Sequence, residues 1–424
     1  MSARKELLLL VHRIPYPPNK GDKIRSFNLL KHLARTYRVH VGAFVDDLHD
    51  WRYKNDLKAL CSSGQGEICL LKLKPVVRKL LSMKAFISGD SLTVPYYAHS
   101  TMQNWVDDLL ARRPIGQVVV FSSPMAQFVS GAAYSHLRRV ADFVDVDSDK
   151  WAQYACAKPW PQSWVYAREA RTLFAFERKI ADEFDATVFV TDEKCAMFKK
   201  MAPEVATRVS TIDNGVDADY FSPEREYPNP YPYSCPRLIF TGAMDYWANV
   251  DAVSWFVKEI FPAVRAAVSD AEFYIVGGRP TDDVMSLGSI PGITVTGAVD
   301  DIRPYLAHAQ AAVAPMRIAR GVQNKVLEAM AMAKPVLATP EAAEGVRAQN
   351  GNDLLVEAGL NNFQKQAICL LLAEGMNLGA AARCSMIKHY SWEKNLQQFN
   401  QLLEVDNSLR GKSHNQPGLV TVAP

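Results

Sequence analysis

Cysteine is sparse in this chain: seven in 424 residues, Cys61, Cys69, Cys156, Cys195, Cys235, Cys369 and Cys384, with no Cys-x-x-Cys pair. A scattered, odd-numbered set excludes a disulfide framework and a zinc ribbon, and fits a reducing cytosol. Long apolar runs are missing too, since no uninterrupted stretch approaches the roughly 18 residues that cross a bilayer. The Leu7–Val11 run behind Arg4 and Lys5 imitates a signal peptide, but it is too short for one and reads as a first buried strand. The expected location is cytoplasmic, on the inner side of the membrane. With 48% hydrophobic and 22% charged residues the composition is that of an ordinary globular protein. Its length suggests two or three domains rather than one core.

A net charge of +3 hides an asymmetry. Residues 1–140 hold 21 Lys/Arg against 10 Asp/Glu, a balance of +11, and the remainder holds 27 against 35, a balance of −8. The basic half is suited to an anionic surface. Within it, Lys72, Lys74, Arg78, Lys79 and Lys84 alternate with Val76, Val77, Leu80, Leu81, Met83 and Phe86. A helix from Val76 would be basic on one side and apolar on the other. Two readings stay open: a membrane-surface helix drawn to anionic lipid, and a solvated helix packed on its own domain.

The most informative stretch runs from Arg317 to Thr339. A buried strand at Ala311–Ala314, a turn at Gly321, helical spacing of Val326, Leu327, Met330 and Ala331, and a second short strand at Pro335–Thr339 make one unit of a parallel sheet. In such a unit the helix N-terminus lies at the carboxyl edge of the sheet, where N–H groups and the macrodipole favour an anion. Lys325 and Glu328 are three apart and share a face. The cation suits a diphosphate and the carboxylate a ribose diol, with Arg317, Arg320, Gly321, Val322 and Gln323 around them. The plainer alternative is a helical surface ion pair.

Other loops follow the same plan. Leu7–His12, a Pro/Gly-rich loop with Lys20, Gly21, Lys23 and Arg25, and a helix with Ile24, Phe27, Leu30 and Leu33 on its apolar face form a second strand-loop-helix unit. Strands at 238–240, 273–276 and 293–296 close on Gly242, Gly277 and Gly297. Asp145, Asp147 and Asp149 stand in Asp-x-Asp spacing just past a strand. They could hold Mg²⁺, but the cationic phosphate site makes a metal unnecessary, and the carboxylates read as lining a cleft. No metal or cofactor is expected, and nothing points to nucleic acid.

The domains are expected at 1–211 and 237–385, joined by a proline-rich linker at 212–236. A crossover helix at 386–405 and a polar, disordered tail at 406–424 follow.

In combination, Asn214-Gly-Val-Asp217 with Tyr220-Phe-Ser-Pro223, Gly242, Gly277-Gly278, Thr296-Gly-Ala-Val299 with Tyr305, Lys325-Val-Leu-Glu-Ala-Met-Ala331 and Pro335-Val336 resemble family 4 glycosyltransferases. Asp145-Val-Asp-Ser-Asp-Lys-Trp151 and Arg320-Gly-Val-Gln-Asn-Lys325 look most like the exopolysaccharide glycosyltransferases associated with exosortase sorting systems. The resemblance implies an α/β fold of two Rossmann-like domains facing across a cleft, the glycosyltransferase B type, with the last helix crossing back to the first domain. It implies a nucleoside diphosphate sugar held by the second domain; the donor-binding residues are expected to be Gly242, Gly277, Val299, Gly321, Val322, Gln323, Lys325 and Glu328 there, with Gly21 of the first domain. A glycan or lipid-linked acceptor is implied at the first, with transfer that retains anomeric configuration. Arg320 stands where such enzymes often carry a Glu that contacts the transferred sugar. Asp245, Tyr246, Trp247 and Asn249 stand where many carry a basic residue. Lys325 with Arg317 or Arg320 is expected to supply that charge, and Asp145 or Asp147 to position hydroxyl groups. The rival readings are a non-hydrolysing nucleotide-sugar epimerase and a non-catalytic sugar-nucleotide-binding subunit.

Overall fold

The computed structural model describes residues 4–18, 20–61, 65–319, 321–372 and 378–404. Arg320 and the predicted tail at 406–424 lie outside the described residues. The chain forms two α/β units, each with its own parallel sheet. The first comprises described residues up to Phe189, then Cys195–Ser210 and those from Leu396 on; the second comprises Val190–Lys194 and Thr211–Asn395.

The first sheet contains β1 (Glu6–Val11), β2 (Arg38–Val45), β3 (Ile68–Lys72), β4 (Ile115–Phe121), β5 (Arg138–Val144), β6 (Ala186–Phe189) and β7 (Val209–Thr211), in the order β3-β2-β1-β4-β5-β6-β7. Strand β1 lies between β2 and β4, with Leu9 opposite both Val41 and Val119. Helices cover both faces of such a sheet, so a central strand is apolar throughout rather than alternating. Every residue of β1 is buried.

The second sheet contains β8 (Arg237–Thr241), β9 (Glu272–Val276), β10 (Ile293–Gly297), β11 (Ala311–Ala314), β12 (Val336–Ala338) and β13 (Leu355–Val356), in the order β10-β9-β8-β11-β12-β13. Both sheets therefore reverse direction once, between β1 and β4 and between β8 and β11. Ligands of open α/β sheets bind outside the carboxyl ends of the strands at such a reversal. These are two Rossmann-like units.

Three local expectations are revised. The segment 212–236, rich in proline, packs within the second unit: Tyr231 is buried, its hydroxyl donates to the Tyr305 carbonyl at 2.7 Å, and the Arg237 guanidinium lies 4.4 Å from its ring centre. The helical run after β8, which an uninterrupted apolar pattern from Val250 to Val268 suggests is one helix, carries a π-helical stretch at Phe256–Ile260. It ends where Pro262, which lacks an N–H, interrupts the ordinary ladder. The C-terminal helix is two, Leu378–His389 and Trp392–Glu404. They part at Tyr390, whose carbonyl accepts from Val216 N–H at 2.7 Å and whose hydroxyl accepts from Arg347 N–H at 2.6 Å. The second of these helices ends in the first unit, where Asn400 lies 3.2 Å from His32 and the Leu402 carbonyl accepts from Arg138 at 2.9 Å.

Candidate donor site in the second unit

The loops that leave β8, β9 and β10 are laced together by backbone hydrogen bonds. Gly242 N–H donates to Val276 O at 3.1 Å, Met244 N–H to Gly278 O at 2.9 Å, and Gly277 N–H to Gly297 O at 3.2 Å. Gly277 makes this possible, because a Cβ there would fall 1.7 Å from the Gly242 carbonyl oxygen. No side chain fits that gap. A Cβ on Gly242 would in turn fall 2.8 Å from the Asn249 amide nitrogen and 3.4 Å from the Lys325 ammonium. The bare glycine leaves the approach to Lys325 open.

Lys325 belongs to the helix Asn324–Ala331, which follows β11 and returns to β12. Its buried stripe, Val326, Leu327, Met330 and Ala331, packs into the core of the second unit. That packing turns the first turn towards the β8/β11 reversal. Gln323, the residue before the helix, contributes no side-chain cap; its amide folds back onto the Gly321 carbonyl at 3.0 Å. Gly321 has φ +59°, and nothing lies within 4 Å of a Cβ built there. The N–H groups of Asn324 and Lys325 donate to no carbonyl among the described residues. Unpaired N–H groups beside open space are what an anion needs.

The Lys325 ammonium donates to Asn249 Oδ1 at 2.5 Å and lies 4.3 Å from the centre of the Phe240 ring and 3.7 Å from Met316 Sδ. Asn249 is buried and its amide nitrogen donates to Ala243 O at 2.8 Å, which fixes which end faces the lysine. Burial pushes the lysine down to about 7 and the Glu328 carboxyl up to about 7, and the attraction between the two opposes both shifts. Neither is a solvated surface charge.

Arg317 is committed elsewhere. Its guanidinium forms a two-pronged ion pair with Asp251 and lies 5.9 Å from the Trp255 ring centre. Val322 and Val299 are half-buried against the core of the second unit. Sequence reasoning missed three contributors. Asn249 was noticed only as a missing cation, yet it is the partner of Lys325. Phe240 was read as strand core. Thr339 donates to the Met316 carbonyl at 2.6 Å, tying the end of β12 to the loop after β11. A spacing pattern carries no trace of such cross-strand contacts.

In the first unit two of the cations expected beside Gly21, Lys23 and Arg25, are not free for a ligand, a correction to the sequence reading. Lys23 and Arg25 are fully buried and paired with Asp50 at 2.5 Å and Asp142 at 2.8 Å. Gly21 itself opens the helix Gly21–Thr36 and is exposed. Ile24 and Phe27 are only half-buried, because Leu29, Leu30 and Leu33 take the core face. At the carboxyl edge of this sheet His12 stacks on Phe121, with ring centres 5.8 Å apart, and its Nε2 lies 3.3 Å from Asp22. Burial opposes ionisation of Asp22, but His12 and Arg13 hold it below the usual carboxylate range.

Asp145 follows Val144, a β-branched residue at φ +70°, where backbone strain is real. Asp145 accepts from Val146 N–H at 2.8 Å and Asp149 from Gln153 at 2.8 Å. Burial raises Asp147, and raises Glu177 well above the ordinary range. Among the described residues no three His, Cys, Asp or Glu side chains converge as metal ligands would.

The geometry of the second unit has counterparts. Residues 235–374 match the family model of glycosyl transferases group 1. No curated protein matches the chain in sequence. Sucrose-phosphate synthase from Thermosynechococcus elongatus is similar in structure at TM-score 0.66 and 16% identity, over 94% of this chain and 98% of that one. WaaG, a glycosyltransferase involved in lipopolysaccharide biosynthesis, gives 0.63 and 16%, over 94% and 100%. HepE from Anabaena, in complex with UDP and glucose, gives 0.62 and 12%, over 94% and 99%. At these identities the likeness is one of fold. Residues 235–374 of the second unit thus match the group 1 glycosyltransferase model, and the two parallel-sheet α/β units match the fold of solved glycosyltransferases.

Proposed function

We propose that the protein transfers a sugar from a nucleoside diphosphate sugar to a hydroxyl group, with the diphosphate gripped by Lys325 and the N-terminus of the Asn324–Ala331 helix. The observation that carries this reading is the Lys325 ammonium beside the side-chain-free Gly242, at the strand reversal of a group 1 glycosyltransferase domain. Glycosyl transfer is slow without help because the departing diphosphate gathers negative charge. A cation and oriented N–H groups in a partly desolvated site stabilise that charge where it develops. Glu328, three residues on, accepts hydrogen bonds from the ribose diol.

Transfer retains anomeric configuration in this reading: the acceptor oxygen attacks on the face the diphosphate leaves. The bond from the anomeric carbon to the β-phosphate oxygen breaks, and that oxygen takes the acceptor proton, so no enzymic nucleophile is needed. Arg317 joins only by releasing Asp251. Arg320 supplies further positive charge at the diphosphate, and Asp145 or Asp147 positions sugar or acceptor hydroxyl groups. The resemblance also supports a glycan or lipid-linked acceptor in exopolysaccharide synthesis, and the described first unit supplies His12 and Asp145 at its own carboxyl edge.

Thermal-shift screening with UDP-, GDP- and ADP-sugars tests the reading, because a ligand of the native state raises apparent stability. One nucleotide series should stabilise the wild type and not Lys325→Ala. Equal stabilisation of both would refute it, and conversion of the sugar without acceptor would favour an epimerase.

A further inference from the structure

The segment from Pro75 to Ser88 is helical almost throughout. Helices at Pro75–Ser82 and Ala85–Ser88 are joined by Met83 and Lys84, both in right-handed helical conformation, and Gly89 at φ +83° ends the run. A helix on a protein surface ordinarily turns its apolar stripe inward. Here the orientation is reversed. The face that meets the protein consists of Arg78, Ser82 and Ala85, spaced i, i+4, i+7. Arg78 donates to the Ala98 carbonyl at 2.5 Å, and Ser82 and Ala85 are buried. The opposite face, Val76, Leu80, Met83 and Ile87, points to solvent with 81%, 69%, 56% and 93% of each residue exposed. Of the two readings left open by the sequence, an outward apolar side is what a membrane-surface helix needs and what a helix packed by that side on its own domain would not show.

The reversal is held in place. Phe86 stacks on Trp164 with ring centres 6.1 Å apart, and the Arg168 guanidinium lies over Phe86 at 4.9 Å and donates to the Ala85 carbonyl at 2.5 Å. Trp164 is itself exposed, so an aromatic ring extends the apolar surface beyond the helix. Around the stripe stand Lys72, Lys74, Lys79 and Lys84, all exposed, and no acidic residue occurs between Ile68 and Gly89. Exposed apolar side chains flanked by four lysines, with one carboxylate, Asp90, past the terminating glycine, complement a surface with anions outside and hydrocarbon beneath.

We propose that Val76, Leu80, Met83 and Ile87 insert into the headgroup boundary of an anionic lipid bilayer while Lys74, Lys79 and Lys84 engage its phosphates. This interfacial helix lies along the membrane and does not cross it; no helix among the described residues is long and apolar enough to span one. A lipid-docked first unit also places acceptors carried on lipid within its reach. The proposal does not depend on the donor site, which sits in the other unit.

Flotation of the whole protein with vesicles tests it. The wild type should float with vesicles of phosphatidylcholine plus phosphatidylglycerol, float weakly with phosphatidylcholine alone, and release as salt rises. Each lysine near an anionic surface contributes about fivefold in partitioning, so Lys74→Gln/Lys79→Gln/Lys84→Gln should weaken it on the order of a hundredfold. Leu80→Ser/Ile87→Ser should lose it at unchanged melting temperature, since both side chains are exposed. Flotation of either variant equal to wild type overturns the proposal, as does a wild type that stays with the pellet. If Leu80→Ser/Ile87→Ser instead converts a dimer into a monomer in sedimentation velocity, the stripe is covered by a second copy, and the membrane assignment falls. Thermal shift with the nucleotide sugars, run on the same variants, should be unchanged.

Discussion

The Lys325 ammonium and the Asn249 side-chain oxygen are 2.5 Å apart, although 76 residues separate them in the chain. The partner is a neutral amide, so the lysine is oriented without being neutralised. Its charge remains available to an incoming anion, and its pKa near 7 makes that charge depend on pH.

A diphosphate favours the protonated lysine, so binding should take up a proton wherever the free protein has lost it. Above about pH 7 affinity for the selected nucleoside diphosphate should fall, by up to tenfold per unit. Calorimetry in buffers of different ionisation enthalpy should register close to one proton taken up per ligand near pH 8. Asn249→Asp places a carboxylate against the ammonium, which raises the lysine and competes with phosphate. Proton uptake should vanish in that variant and affinity should drop. Undiminished uptake would place the titrating group elsewhere.

Glu328 gives a second prediction, from a shift in the opposite direction. Its carboxyl is raised from 4.5 to about 7, so the native state holds a proton that the unfolded chain has already released. That contribution to stability is complete below pH 4.5 and is lost as pH rises through 7. Glu328→Gln should therefore flatten the decline in stability across this window in urea titrations. The same variant should weaken nucleotide binding, because one of the two carboxylate oxygens that accept from the ribose diol becomes an NH2 donor, while Lys325-dependent proton uptake persists.

Much of the fold was legible because its signals are local. Apolar runs marked β1, β8, β9 and β11, and glycines marked the loops that follow them, so the repeated strand-loop-helix plan followed. That Lys325 and Glu328 share one helix was legible for the same reason, since they are one turn apart. Lys23 and Arg25 were misread because a cation beside a glycine looks alike whether it faces a ligand or a buried carboxylate. Asp50 and Asp142, which settle the matter, lie 27 and 117 residues away. Asn249 was invisible in the same way. The outward-facing stripe at Val76–Ile87 was visible as a pattern, but its direction is set by Arg78, Ser82 and Phe86 meeting Ala98 and Trp164, which no periodicity encodes.

Gly277 is the tightest point of the donor loops. Gly277→Ala would drive a methyl group into the Gly242 carbonyl, 1.7 Å away, and backbone cannot yield as a flexible side chain can. The loops after β8 and β9 must separate, with a cost of about 1–3 kcal/mol or more. Nucleotide binding should fall further than stability does, because the displaced segment is the one that leaves Lys325 accessible. Gly351→Ala, at φ +81° with open space around it, is the control: it strains the backbone and should leave binding intact.

The Arg25–Asp142 pair tests the reassignment in the first unit. Both side chains are buried, the guanidinium Nε donates to the carboxylate at 2.8 Å, and burial raises Asp142 despite its partner. Arg25→Met removes the cation and leaves a buried carboxylate with no counter-charge, which should cost about 3–5 kcal/mol at neutral pH. The loss should shrink towards acid, because a group whose folded pKa lies above its unfolded value contributes more once protonated and less as pH rises. Arg25→Met/Asp142→Leu removes both charges and should recover most of the loss, since a buried ion pair exchanged for apolar groups of similar size is often neutral. Were Arg25 a ligand contact instead, the single variant would keep its urea midpoint and lose binding. A structural pair predicts the reverse, a shifted midpoint with nucleotide affinity unchanged in the fraction that remains folded.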